Sequence, residues 1–400
     1  MFRDFSATMQ KLKKLAVVVT HPIQYYVPVF QQLAQYCNLR VFYTWGEDGA
    51  KTKYDPDFRK SIDWDLPLLE GYEYEFLINM SKKQGSHNYS GINNPNLVSS
   101  IEKFSPDFIL IYGWAYQSHL SAIRYFKGKT PIWFRGDSHL MNSKPFWKKM
   151  VQKVLLTWVY HHIDQAFYVG KANKAYFKSF GLKEHQLTFA PHAIDNDRFG
   201  TNRSNEAQIL RNELGIADNE ILILFAGKLA RKKSPEQLLL AFLELRMDHA
   251  HLLFVGNGEL EESLKLKVES LKFKAESLKV NIHFMDFQNQ SFMPVVYQAC
   301  DLYCLSSQSE TWGLAVNEAM ACGKAILVSD KVGCAFDLVK PRENGNIYKS
   351  GDLSDFTSKL FNLVRDKTRL LEMGLQSKRI IKDWDFDTQI QQILKLIYAD

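Results

Sequence analysis

Cysteine is scarce in this 400-residue chain, and the five present (Cys37, Cys300, Cys304, Cys322 and Cys334) are odd in number and lie mostly among apolar residues. They show no paired metal-ligand spacing, which argues against a disulfide-stapled secreted domain and a zinc module, and leaves reduced core thiols of a cytoplasmic protein. Long hydrophobic runs are missing too. The apolar stretch Leu15 to Val19 follows Lys11, Lys13 and Lys14 as a secretory core would, but stops at Thr20, His21 and Pro22. It falls far short of the roughly 20 residues that a membrane span needs and reads as a buried first strand. No long polar tract, solenoid repeat, Ser-His-Asp arrangement or Walker-type phosphate loop is present. The paired His161 and His162 have no acidic or cysteine partner at ligand spacing and read as structural.

What remains is a globular composition. Hydrophobic residues make up 46% and charged residues 24%, enough apolar surface to offset the entropy of ordering the chain. The length exceeds one ordinary core, so two domains are expected. A net charge of +6 and a pI near 8.8 suit an anionic ligand or an anionic membrane surface, and fall short of a nucleic-acid footprint.

Short apolar runs alternate with helical stretches through both halves, the pattern of parallel sheets with crossover helices. Strands are predicted at 15–20, 39–44, 107–112, 132–135 and 166–169, then at 221–226, 251–255, 281–285, 302–305 and 325–328. Helices are predicted at 25–36, 116–126, 145–161 and 171–180 in the first half. In the second, Ser234-Pro235-Glu236 reads as a capped helix start with proline at the first position. The polar stretch Asp195 to Asn219 separates the two patterns. The region 44–95 is rich in Gly, Asp, Lys, Tyr and Asn with little periodicity, and reads as an elaborated loop facing a cleft or a variable surface insertion. Its Trp and Tyr residues would form a stacking platform for a ligand or simply pack the loop.

The most informative segment is SSQSETWGLAVNEAMACG, Ser306 to Gly323, directly after a strand. A helix starting near Gly313 would aim the backbone amides of Trp312, Gly313 and Leu314 into the crevice beyond the strand ends, an anion site suited to a diphosphate. Glu310 and Glu318 would flank it, and paired carboxylates accept hydrogen bonds from sugar hydroxyls, although solvated surface charges are the commoner fate of two glutamates. A second feature is the basic loop Gly227 to Lys233 after the strand 221–226. Lys228 and Lys233 there would neutralise a diphosphate and the charge that develops as a nucleotide departs.

Together these segments resemble the retaining glycosyltransferases of family 4, which have the GT-B fold. In that family a basic loop ending in Lys binds the donor phosphates, matched by Lys228 and Lys233, and a Glu-x7-Glu motif is matched by Glu310 and Glu318. The resemblance implies that Glu310 contacts the donor sugar and Glu318 the ribose. It extends over Phe254-Val255-Gly256-Asn257-Gly258, Ala299-Cys300-Asp301, Glu318 to Gly323, Glu343 to Asn346, and Pro191 to Phe199.

The first half departs from the family. Where members carry a glycine-rich loop after the first strand, this chain has His21-Pro22-Ile23-Gln24-Tyr25-Tyr26, read equally as a plain turn or as a loop meeting acceptor or phosphates. Within Pro131 to His139, the place of the family's active-site histidine falls on Asp137, with His139 two positions on. Asp137 is expected to bear on the transferred sugar, its alternative being a cap or turn residue.

The resemblance therefore implies an α/β chain of two Rossmann-like domains facing across a cleft. The expected boundaries are 1–199 for an acceptor-binding domain and 200–383 for a nucleotide-sugar domain, with a C-terminal helix 384–398 packing back on the first. Asp137, Glu310, Lys228 and Lys233 are expected to be catalytic. His21, His139, Gly227, Gly256, Trp312, Gly313, Leu314 and Glu318 are expected to bind substrate. The reaction implied moves a sugar from a nucleoside diphosphate to a glycan or lipid-linked acceptor with retention, in bacterial surface polysaccharide or glycolipid synthesis. No metal, cofactor or nucleic acid is expected. A sugar-nucleotide epimerase or hydrolase of the same fold and a non-catalytic binder are the alternatives. Peripheral membrane contact is a further expectation, from Lys144, Trp147, Lys148, Lys149 and Lys153 interleaved with Phe146, Met150, Val151 and Leu155.

Overall fold

The computed structural model describes residues 12–50, 53–55, 58–141, 145–274 and 281–399. Lys11 and Lys144 lie outside the described residues. In chain order the strands are β1 (Lys14–Val19), β2 (Asn38–Tyr43), β3 (Lys53–Asp55), β4 (Lys60–Ile62), β5 (Glu73–Phe76), β6 (Phe108–Tyr112), β7 (Ile132–Arg135), β8 (Gln165–Tyr168) and β9 (Leu187–Phe189). The second half adds β10 (Ile221–Ala226), β11 (Ala250–Val255), β12 (Ile282–Met285), β13 (Leu302–Leu305), β14 (Ala325–Ser329) and β15 (Gly345–Tyr348).

They form a seven-stranded sheet, β5-β2-β1-β6-β7-β8-β9, and a six-stranded sheet, β12-β11-β10-β13-β14-β15. Every pairing in both is parallel; β3 and β4 form a separate antiparallel ribbon. The central strands read as continuous apolar runs because helices cover both faces of each sheet: β10 and β11 are buried at every position. All five cysteines are free and buried, consistent with small apolar core residues.

Both sheets change direction once. In the first the order reverses between β1 and β6, in the second between β10 and β13. Ligands in open parallel sheets collect beyond the carboxyl ends of the strands at such a switch point. The loops that leave these four strands begin at Thr20, Gly113, Gly227 and Ser306, so the topology alone singles out where a site belongs.

The structure adds detail that periodicity does not supply. The polar stretch 195–219 carries two helices, Asn196–Gly200 and Ser204–Glu213. Ser234 does start a helix, Pro235–Leu245, but in the left-handed conformation (φ +48°) and without a side-chain cap. The C-terminal helix Phe386–Ile397 buries Phe386, Ile390, Ile393 and Ile397 in the same core cluster as Leu15, Val17 and Val41 of the first sheet. Trp384, just before it, stacks on Trp312 of the second half at 5.3 Å and meets Phe189 of the first edge-on.

Candidate active site

On the second-half wall, two glycine turns bring the loops after β10 and β11 together. A Cβ on Gly256 would sit 2.2 Å from the Gly227 carbonyl oxygen, and one on Gly258 would sit 2.6 Å from the Leu229 oxygen, so neither position admits a side chain. Gly227 itself, with φ +149°, faces open space. The loop then turns so that Lys233 pairs with the Glu310 carboxylate, both side chains being more than four-fifths buried. Ser306 locks that geometry: its hydroxyl lies 2.9 Å from the carbonyls of both Lys233 and Ser234. Lys228 lies over the Phe58 ring at 5.0 Å, in a cavity of about 420 Å³ lined also by His21, Trp45, Trp64 and His87.

The helix Leu314–Ala321 starts immediately after Gly313, whose φ of +98° suits glycine, and no side chain caps it. Its amino end is thus left to backbone amides, as an anion site requires. The Trp312 ring takes no part in this. It is buried, donates from Nε1 to Asn317 Oδ1 at 3.0 Å and packs where a Cβ on Gly170 would collide with it.

Glu318 is buried and already engaged. Its carboxylate accepts hydrogen bonds from Tyr25 Oη and Tyr297 Oη, both at 2.8 Å, with Gln290 Nε2 at 3.5 Å. Burial raises its pKa, and these hydrogen bonds only partly offset that. Tyr25 comes from the opposite domain, so the loop after β1 reaches across to the helix that carries Glu318.

The facing wall holds a cavity of about 250 Å³ lined by His21, Tyr26, Tyr112, Arg135, Asp137 and His192 among others. Here the Asp137 carboxylate lies 3.6 Å from His192 Nε2. Burial drives the His192 pKa below its usual value despite the neighbouring carboxylate, so the imidazole is neutral near pH 7. Burial alone would raise Asp137, but contacts to His192 and to Thr311 of the other domain outweigh it and keep the carboxylate ionised. Arg135 spans the carbonyls of Ala190 and Pro191 at 2.9 Å each, which fixes the segment that carries His192. Two buried polar atoms at this wall, Tyr112 Oη and Arg135 Nε, find no hydrogen-bond partner among the described residues.

His139 is placed differently from Asp137. Its Nδ1 accepts from the Met141 backbone N–H at 3.2 Å, which leaves Nε2 to donate to the Glu310 carbonyl at 2.8 Å. It brackets the two domains and holds the Glu310 loop. His21 lines both cavities, with Nδ1 2.8 Å from Thr20 Oγ1 and its ring edge-on to Trp45 at 5.3 Å.

Lys233, Glu310, Gly227, Gly256, Gly313 and Leu314 therefore gather on one wall and Asp137 and His21 on the other, with His139 between them. Lys228 lines the larger cavity, while Glu318 and the Trp312 ring are interior. Sequence reasoning gave no role to His192, Tyr25, Tyr26 or Arg135. The segment Pro191 to Asp195 stands out as a motif, but nothing local shows that its histidine meets Asp137, 55 positions earlier.

The family described as "Glycosyl transferases group 1" matches residues 206–379. A D-inositol 3-phosphate glycosyltransferase of Nocardia farcinica is 28% identical over 202 residues, 50% of this chain and 44% of that protein. An N,N'-diacetylbacillosaminyl-diphospho-undecaprenol alpha-1,3-N-acetylgalactosaminyltransferase of Campylobacter jejuni is 25% identical over 238 residues, 58% of this chain and 59% of its own. The chain thus spans about half the length of the curated relatives it matches. Among solved structures, Anabaena HepE in complex with UDP superimposes with a TM-score of 0.73 at 18% identity, covering 97% of this chain and 100% of that one. A structure described as trehalose-6-phosphate from Escherichia coli bound with UDP-2-fluoro glucose gives 0.72 at 12% identity, with 96% of this chain and 99% of that one covered. The chain folds as the GT-B glycosyltransferases do, and its residues 206–379 match the group 1 glycosyl transferases.

Proposed function

We propose that this chain transfers a sugar from a nucleoside diphosphate to an acceptor hydroxyl with retention of configuration, using donor residues of its second half and no divalent metal. The observation that carries this reading is the convergence at the two switch points: the Lys233–Glu310 pair and the uncapped helix after Gly313 on one side, the Asp137–His192 pair on the other. The relatives and structural neighbours support it, since their names describe glycosyl transfer and bound UDP or UDP-sugar.

In this reading the diphosphate lies over the open Gly227 turn, between Lys228, Lys233 and the amides after Gly313. Glu310 accepts hydrogen bonds from the sugar. Glu318 holds the ribose once Tyr25 has withdrawn, its hydroxyl being a stand-in for a ribose hydroxyl. The unpartnered Tyr112 and Arg135 atoms suit a polyhydroxylated ligand beside Asp137. As the bond from the anomeric carbon to the diphosphate oxygen breaks, the acceptor oxygen bonds to the same face and its proton passes to the departing diphosphate. The cations and helix amides stabilise the charge that this leaves. Asp137, ionised and aimed at the cavity, stabilises the positive charge that develops at the sugar ring.

The acceptor enters from the first domain, past His21, Trp45 and Trp64, and is glycan or lipid-linked, as in glycolipid or surface polysaccharide synthesis. Incubation with a panel of labelled nucleotide sugars, with and without lipid-linked and glycan acceptors, tests the reading, with the product anomer assigned by NMR. Acceptor-dependent transfer with retention is expected, and it persists in EDTA. Turnover of the donor without any acceptor would favour an epimerase or hydrolase, and binding without turnover a non-catalytic binder.

A further inference from the structure

The helix Phe146–Tyr160 is apolar on two opposite faces. One face turns inward and buries Leu156, Val159 and Tyr160 against the first sheet's core. The other turns outward and leaves Phe146, Trp147, Met150, Val151, Val154 and Trp158 exposed, with Phe146 at 79% and Val154 at 70%. Helix geometry puts Trp147, Val151, Val154 and Trp158 in one stripe down the solvent side. Scattered apolar residues on a surface need no explanation, but a continuous stripe of this kind marks a binding face.

Charge decides what covers it. The helix carries Lys148, Lys149 and Lys153 and no acidic residue. Lys148 sits beside Trp147 at 5.3 Å and Arg124 beside Trp158 at 5.8 Å, so cations border the stripe near both ends. A second copy of the chain packed symmetrically on this face would set lysines against lysines. Tryptophan, phenylalanine and lysine are instead the residues that settle at the boundary between lipid headgroups and acyl chains.

We propose that the outward face of Phe146–Tyr160 docks on an anionic phospholipid bilayer. Trp147, Val151, Val154 and Trp158 enter the headgroup region, and Lys148 and Arg124, which lie beside Trp147 and Trp158, meet lipid phosphates. A groove of about 530 Å³ lies beside the same helix, lined by Met150, Phe180 and Thr311 among others, and Thr311 is a partner of Asp137.

Flotation of the full chain with vesicles of phosphatidylcholine, alone or mixed with phosphatidylglycerol, tests this. Binding to the anionic vesicles, weakened by added salt, is expected. Lys148→Ala/Arg124→Ala should weaken it by about fivefold per cation removed. Val151→Glu/Val154→Glu should abolish it with the unfolding temperature unchanged, because both side chains are exposed; the Lys148→Ala/Arg124→Ala pair decides the matter if that variant folds poorly. Failure of the wild-type chain to bind either vesicle overturns the proposal. So does self-association that Val154→Glu removes while vesicle binding stays as it was. Vesicle binding is read without turnover, so its failure would leave the transferase reading standing.

Discussion

The two halves of this molecule share an architecture but store their sites differently. The second half keeps its candidate residues in two short segments, Gly227 to Lys233 and Ser306 to Glu318, each attached to one strand end, with Gly256 after β11 beside the first. The first half assembles its wall from distant pieces: the loop after β1, the end of β6, the loop after β7, and His192 beyond β9. A site held in contiguous motifs is visible in a single sequence. A site assembled by folding is visible only once the sheet order is known.

The largest effect should come from the contiguous half. Lys233→Ala and Glu310→Gln are expected to lower turnover by about 10² to 10³, the scale for losing one charge contact in a transition state. Steady-state kinetics beside thermal unfolding checks this, and near-normal turnover in both variants would remove the donor assignment.

The halves should also differ in their response to acid. His119 in the first half is fully buried between Thr44 Oγ1 and the Gly113 carbonyl, and burial pulls its pKa down to about 4. The unfolded chain then binds a proton that the native state refuses as pH falls from about 6.5 to about 4, so native stability drops over that window by up to about 3 kcal/mol. Glu318 has the opposite sign, because its raised pKa costs stability as pH climbs above the ordinary glutamate value. Thermal unfolding between pH 7 and pH 4.5 should show a shallower acid loss in His119→Gln than in wild type. In Glu318→Gln the acid loss should steepen.

Asp137→Asn should lower turnover by about 10² while nucleotide binding is retained, since the nucleotide is held by the other domain. His139→Ala should cost less, because that side chain holds the Glu310 loop through its carbonyl. An essential His139 beside a dispensable Asp137 would exchange their roles.

The smallest effect concerns the contact that joins the halves. Tyr25→Phe removes the hydroxyl on Glu318 and should destabilise the fold by about 1 kcal/mol. If that hydroxyl stands in for ribose, the same variant binds nucleoside diphosphates tighter by up to about tenfold, which calorimetric titration would register.

Most of the fold was legible because central parallel strands are continuous apolar runs, and β1, β6, β7, β10 and β13 lie within a residue of their expected places. Periodicity missed the separate ribbon β3–β4, and in the two large sheets it missed β5, β9 and β15, which all sit at sheet edges. Glu-Tyr-Glu-Phe in β5 and Leu-Thr-Phe in β9 are nowhere fully buried, so they lack the run that marks a strand. The start of the helix at Leu314 was legible from Gly313, whose φ of +98° suits glycine, whereas the 2.2 Å approach that Gly256 permits shows only in the fold. The closed environment of Glu318 was not, because Tyr25 lies 293 positions away and only the docking of one domain on the other brings them together.

Calorimetric titration of the wild type, Lys233→Ala and Asp137→Asn with a panel of nucleoside diphosphates tests the division of labour most directly. The account predicts that one nucleotide binds the wild type and Asp137→Asn alike and binds Lys233→Ala at least about tenfold more weakly. Equal binding to all three proteins, or loss on Asp137→Asn with Lys233→Ala unaffected, would place the donor elsewhere and contradict it.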